Sequence, residues 1–461
     1  MKVLSRRIAE VRRGWPGWTR IAGVAGLLLL TFSPLCTHPS ADEPVTLTFV
    51  DPEWSHDLTE RNVLPDVRLQ AFTKQTGIRV KHLPAPETAL DQLDLVRELL
   101  TKGSSPDVLG IDVIWPGALR EELIDLKPSF ESEVSSVDAD LVASYTVKGK
   151  LVAVPYHADI GVLFYRRDLL REYGFGEPPR SWDQLEKMAA RIQQGERAKG
   201  EKDFWGFVWP GAAGEGLTCN AVEWQVSEGG GRIIEADNTI SVNNPEAIHS
   251  WERAAHWIGQ ISPPNVISYE EWDAIQAFYA GKAAFYRGWA RSYVLSVEDN
   301  STIRDRIAIT SIPGGKAGQA GTLGGFGLGV SQSASHRTEA LELVRFLVHR
   351  ETEFGAVRSD SGPEQRLEPY GLPVLLKAYS DISDIGQQQR GSGVVSRPST
   401  VAEEKYEGVA RAYVRAVHSV LTGKTKAPEA AANLEKELAG ITGFKTGPPS
   451  RIRGPKGKSA E

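Results

Sequence analysis

Cysteine is almost absent: the 461 residues contain only Cys36 and Cys219. Two cysteines cannot build a disulfide framework or a four-ligand zinc site. Cys36 falls in a segment expected to leave on export, so Cys219 remains as a single thiol. Its neighbours Leu217 and Ala221 mark it as buried and inert, not nucleophilic. Strong charge of one sign is lacking too. A net charge of -6 is small for this length and gives no reason to expect a nucleic-acid partner. The apolar run from Ile21 to Phe32 falls short of the roughly 20 residues that span a bilayer.

Motifs of catalysis are missing as well. There is no HExxH and no GxSxG. Gly423-Lys424-Thr425 resembles the end of a P-loop, but the required first glycine would stand at His418. The glycine run at 324–329 fails the dinucleotide fingerprint in spacing and leads into a strand-like segment. The nine histidines show no metal spacing. Phosphate transfer and metal catalysis have no anchor, and no cofactor is expected.

What is present begins with an export signal. Arg6, Arg7, Arg12, Arg13 and Arg20 precede the apolar run, and small or polar residues around Ser40 and Ala41 offer a cleavage site. Residues 1–41 therefore read as a signal peptide, or as an N-terminal anchor if retained. The destination is periplasmic or otherwise extracytoplasmic. Leu35 before Cys36 argues against lipidation, which wants a small residue there. At the other end, residues 441–461 read as a flexible basic tail, with Arg451–Lys458 set among Gly and Pro.

The length exceeds what one core usually organises, so two lobes are expected. Val45–Val50, Ile78–His82 and Asp107–Val113 are strand-like, separated by helical stretches. In the second of these, Leu90, Leu93, Val96 and Leu100 share a face. This β-α-β-α-β order predicts an α/β fold with a largely parallel sheet. A second α/β region begins near Gly161. Ser181 is placed as the N-cap of a helix through Ala190, and strands are expected at Phe204–Trp209 and Ala283–Arg287. Further helices are expected at Leu217–Glu228, Pro245–Gln260, Arg337–His349 and Val401–Leu421. Gly321–Gly329 is too glycine-rich for an ordinary strand and marks a close approach of backbone to something else.

Aromatic residues are plentiful, with 12 Trp, 12 Tyr and 14 Phe. Sugar rings stack on aromatic faces while their hydroxyls need paired donors and acceptors. Several short segments join these types: Glu53-Trp54, Asp112 with Trp115, Tyr156-His157 with Asp159, Trp209, Arg287 with Trp289, and Phe326. For any one aromatic alone, core packing is the alternative role.

The segments DVLGIDVIWPG (107–117), KLVAVPYHADIGVLFYRRDLL (150–170) and PPRSWDQLEKMAARIQQGER (178–197) resemble the family-1 extracellular solute-binding proteins of ABC importers. So do KDFWGFVWPGAAGEGLTCNAVEW (202–224), AAFYRGW (283–289) and TLGGFGLGVS (322–331). Within that family the chain is similar to the trehalose/maltose-binding branch, over about Val45 to Gly440. The resemblance implies a two-lobed periplasmic-binding-protein fold, type II-like, with discontinuous lobes joined by a hinge of crossing strands. Lobe 1 would comprise 44–157 and 323–370, and lobe 2 would comprise 158–322 and 371–440. The crossings would fall near His157–Gly161, Thr322–Phe326 and Tyr370–Val374.

The resemblance also implies roles. Asp112 and Asp159 would accept hydrogen bonds from sugar hydroxyls, and Trp289 would stack on a ring. Gly325 and Phe326 would bring backbone and ring to the ligand, and Arg397 would donate to sugar oxygens. His157 stands where a relative has Tyr, Phe326 replaces a Trp, and Gln92 replaces an arginine before the LDLV segment. Trp54 is added as a contact. The alternative roles are turn-holding or capping for the aspartates and a structural salt bridge for Arg397. The implied function is binding of a neutral α-linked disaccharide, trehalose or maltose, by a monomer that hands it to membrane permease subunits. The rivals are a secreted glycoside-active enzyme using Asp112 and Asp159, a receptor-facing sensor, and a binder of maltodextrin or a sugar alcohol.

Overall fold

The alternating pattern from Thr46 onward folds into three strands joined by crossover helices. β1 (Thr46–Val50), α1 (Val63–Thr76), β2 (Arg79–Leu83), α2 (Ala89–Thr101) and β3 (Val108–Asp112) follow in order. β1 lies between β2 and β3 and is parallel to both, as the helical connections require. The computed structural model describes residues 44–50, 63–83, 89–101, 105–135, 137, 139–290, 292, 303, 306–353 and 393–450. The expected export segment 1–41, Trp54, and the expected crossing at Tyr370–Val374 lie outside these residues.

Two short helices, α3 (Lys127–Val134) and α4 (Ala139–Ser144), lead to a hairpin of β4 (Thr146–Val147) and β5 (Lys150–Leu151). Its turn residues Lys148 and Gly149 have φ of 50° and 82°, the left-handed conformation of a two-residue hairpin turn. The chain then enters β6 (Val154–Arg166), which serves two halves of the sheet. Its first part, through Ile160, pairs with β10 (Ala320–Val330). From Gly161 onward it pairs on one side with β8 (Ala283–Trp289) and on the other with β9 (Ile307–Ser311). β10 in turn pairs with β3, antiparallel, so the first half reads β2-β1-β3-β10-β6. The second half reads β7-β8-β6-β9, with β7 (Trp205–Val208) parallel to β8. β11 (Gly393–Val395) adds to β10 beside Thr322.

Helices cover both halves. α5 (Arg167–Glu172) and α6 (Trp182–Ala198) follow β6, and Ser181 caps α6 by accepting the Gln184 N–H. α7 (Glu215–Glu228), α8 (Pro245–Trp257) and α9 (Glu271–Tyr279) come next. α10 (Arg337–Glu353) packs near β6 and β10. α11 (Ser399–Ala402), α12 (Tyr406–Leu421) and α13 (Ala427–Thr442) complete the chain. α7 is buried along almost its whole length, which is why its sequence shows no polar face. Cys219 sits within it, and burial pushes its thiol up to about 12, as an inert cysteine requires.

Three expectations need correction. The helix expected over Val401–Leu421 breaks at Glu403, whose φ is 49°. Its carboxylate is held by Arg120 at 2.8 Å and Lys148 at 2.7 Å, and its backbone presses on Gly117, so the chain turns there instead of continuing. The glycine-rich run is a full strand, β10, paired on both flanks. Its glycines answer close neighbours: a Cβ on Gly321 would lie 2.8 Å from the Gly161 carbonyl oxygen. The tail expected from 441 is tied at its start. Thr442 belongs to α13, the Ile240 N–H donates to the Lys445 carbonyl, and the Gly447 N–H donates to the Ile240 carbonyl. Among the described residues no helix is long and apolar enough to cross a membrane.

Candidate functional site

The junction of the halves gathers most of the expected site residues. Asp112 is the last residue of β3, and its Oδ1 accepts the Ile114 N–H at 3.0 Å, which turns the chain at the strand end. Across the sheet, Asp112 pairs with Phe326 of β10, and Phe326 pairs with His157 of β6. Cross-strand partners share a face. The Phe326 ring accordingly sits 5.5 Å from His157, and 6.3 Å from Trp115 in an edge contact. Gly325 has a φ of 115°, which only glycine adopts readily, and a Cβ there would lie 2.3 Å from the His157 carbonyl oxygen. Its own carbonyl accepts the Val113 N–H at 3.1 Å, pinning the two strands together.

Two positions on, Asp159 pairs with Gly324 and accepts the Ile160 N–H at 2.8 Å. Trp289 closes β8 opposite Gly161. Its indole lies over Gly324, where a Cβ would meet ring carbon Cζ3 at 2.7 Å. The indole N–H donates to Glu271 Oε1 at 3.0 Å, and the Arg287 guanidinium lies 4.4 Å from the ring centroid. Asp112 and Trp289 thus both stand at the carboxyl ends of strands, where open α/β sheets place ligands.

Arg397 follows β11 and is buried. It donates through Nη1 to Glu215 Oε1 at 3.1 Å and through Nη2 to the Leu323 carbonyl at 3.2 Å. Its Nε has no acceptor among the described residues. The Tyr406 hydroxyl also donates to Glu215. Burial opposes the Arg397 charge, but Cys219, Tyr406, Glu215 and Asp112 around it raise its pKa. Asp112 is half-buried, and that burial pushes its carboxyl up to about 6. Arg397 and the Ile114 N–H pull it back, while Glu215 and Glu271 add to the rise.

Of the expected residues, Asp112, His157, Asp159, Trp289, Gly325, Phe326 and Arg397 meet around this junction; Trp54 lies outside the described residues. The alternative roles hold as well, since Asp112 does hold a turn and Arg397 does form an ion pair. Glu215, Glu271 and Tyr406 were missed. Glu215 and Glu271 are the first residues of α7 and α9, where the helix dipole favours a carboxylate. Their faint signal was an acidic residue just before an apolar run, after Gly214 and Glu270. The arrangement offers carboxylate acceptors, one arginine donor and aromatic faces. Among the described residues no group of three or more His, Cys, Asp or Glu could hold a metal ion.

The architecture is the mixed α/β, two-lobed periplasmic-binding-protein fold. Maltose-bound MalE3 of T. maritima, 30% identical, superposes with a TM-score of 0.74 over 86% of this chain and all of its own. A solute-binding protein of Thermotoga lettingae bound to α-D-tagatose, 21% identical, gives 0.71 over 86% of this chain and all of its own, and speaks for the fold. A probable ABC transporter-binding protein of Deinococcus radiodurans is 38% identical over 81% of this chain and 89% of its own length. Residues 58–352 match the bacterial extracellular solute-binding protein model, and the chain belongs to that family.

Proposed function

We propose that the chain is the extracytoplasmic substrate-binding component of a carbohydrate ABC importer, exported by residues 1–41. Its ligand is a neutral sugar, most specifically an α-linked disaccharide of the maltose or trehalose type, which it passes to membrane permeases. The lobes are 44–157 with 323–370, and 158–322 with 371–440, and sugar contacts to both favour the closed state.

The observation that carries this reading is the Trp289 indole, laid across Gly324 and anchored to Glu271, beside Asp112, Asp159 and Arg397. A ring face next to carboxylates and a guanidinium suits a polyhydroxylated ring. The kinship with a maltose-bound protein at 30% identity supports the disaccharide. A monosaccharide or polyol is the second reading, favoured by the tagatose carried by a protein of the same fold.

A thermal-shift screen against trehalose, maltose, sucrose, tagatose, mannitol and maltodextrins tests both. A ligand at about 100 times its dissociation constant adds roughly 2.7 kcal/mol, which a melting curve resolves. A selective rise with a disaccharide supports the first reading, and a rise with tagatose or mannitol alone supports the second. No rise with any of them sinks the sugar assignment.

A further inference from the structure

The geometry points to Glu223 and Arg287 as positioning residues that couple the placement of the Trp289 ring to the strands joining the two lobes. The role in binding rests on the sugar-site reading above; the mechanical coupling does not.

Glu223 lies in the middle of α7 and Arg287 on β8, and both are essentially out of contact with solvent, at 0% and 1% exposure. The pair is bidentate, with Arg287 Nη2 on Oε1 at 2.6 Å and Nε on Oε2 at 3.0 Å. Burying two charges is costly unless good geometry and further hydrogen bonds repay the desolvation, so such a pair need not be there for stability alone. Three neighbours use its fixed geometry. The Thr322 N–H of β10 donates to Glu223 Oε1 at 3.0 Å, at the point where β10 also takes on β11. Gly161 of β6, where that strand passes from one half to the other, has room for no side chain. A Cβ there would lie 2.0 Å from Glu223 Oε1 and 2.5 Å from Arg287 Nη2. On the far side, the guanidinium sits 4.4 Å from the Trp289 ring centroid. Its Nη1 has no hydrogen-bond acceptor among the described residues.

One ion pair therefore touches both crossing strands and the underside of the stacking indole. The Thr322 hydroxyl reinforces the link by donating to the Cys219 carbonyl of α7 at 3.0 Å. Gly161 and Thr322 are the points where the two crossing strands meet the second lobe, so the pair fixes the strand ends about which the lobes would bend. The rigid fork of Arg287 ties the ring to those strand ends, so bending at the crossings is felt at the ring and a sugar pressing on the ring is felt at the crossings.

Arg287→Lys tests this, because it keeps a charge for Glu223 while losing the planar fork and the stack. Protein labelled with ¹⁵N at tryptophan indoles is compared with wild type, the Trp289 signal being identified by its loss in Trp289→Phe. The expected result is a shifted or broadened Trp289 indole signal and at least tenfold faster hydrogen exchange at the Thr322 amide. The Trp182 and Trp257 indoles should stay in place. A folded variant with the Trp289 signal and Thr322 protection of wild type overturns the coupling. If Arg287→Lys does not fold, the doubly neutral Glu223→Gln/Arg287→Gln variant is read the same way. Titration of maltose and mannitol into wild type and variant separates the two readings. If no sugar of the panel above binds wild type while the spectroscopic changes are present, the sugar site falls and the coupling stands. If one of them binds, affinity should fall about tenfold in the variant, and an unchanged affinity overturns the positioning role.

Discussion

The two buried arginines of the junction make opposite uses of similar surroundings. Arg287 meets a carboxylate through both arms of its fork, and its partner Glu223 has no solvent contact and one other donor, the Thr322 N–H. Arg397 meets Glu215 through one nitrogen, spends another on a carbonyl, and keeps Nε without an acceptor. Glu215 is less dependent on its arginine. It begins a helix, accepts the Tyr406 hydroxyl and remains 15% exposed. The first pair meets through two nitrogens and leaves Arg287 Nη1 without an acceptor among the described residues, whereas the second meets through one and leaves Arg397 Nε so, with Glu215 also held by Tyr406.

Replacing each arginine by methionine is the most direct way to break this contrast. Arg287→Met leaves Glu223 buried and unpaired and should cost about 3–5 kcal/mol in urea denaturation. Arg397→Met should cost clearly less, because Glu215 keeps other stabilisation, but should lose more sugar affinity per unit of stability. Equal stability losses would erase the distinction.

Gly161→Ala drives a methyl into Glu223 and Arg287, and should cost about 3 kcal/mol, the upper end for overpacking. A wild-type melting temperature would mean that the pair yields easily and cannot hold the strands.

The Arg397 side of the junction responds to pH through Asp112. Asp112 rests near 6 in the folded protein against about 3.9 when unfolded. Between these values the folded state binds a proton that the unfolded state has released, so this stabilisation is complete below about pH 4. It is lost as pH rises toward 6, and amounts to on the order of 2 kcal/mol after allowing for partial exposure. Asp112→Asn should flatten the corresponding decline in melting temperature between pH 4 and 7. An identical profile in the variant would remove Asp112 as its source.

The smallest stability effect belongs to Gly324→Ala. The added methyl meets the Trp289 ring, which is half-buried and can yield toward solvent only by loosening its contacts with Glu271 and Arg287. The cost should stay below about 1 kcal/mol, while sugar affinity falls about tenfold by titration calorimetry. Unchanged affinity would detach the Trp289 ring from the ligand.

The amino-acid sequence by itself determined the parallel order of β1, β2 and β3, the cap at Ser181, the inert Cys219, and seven of the residues at the junction. Strand periodicity, helix starts and a family-like order of motifs are local properties, so a linear reading reaches them. Tertiary structure decided which charges meet. Glu223 and Arg287 are 64 residues apart, and Glu215 and Arg397 are 182 apart. No periodicity within a helix such as α7, buried all round, reveals which carboxylate will face an arginine. The break at Glu403 was likewise invisible, because it depends on Arg120, Lys148 and Gly117 arriving from the other end of the chain. Local pattern sets the elements, and long-range packing in a low-dielectric interior selects the partners that each buried charge must find.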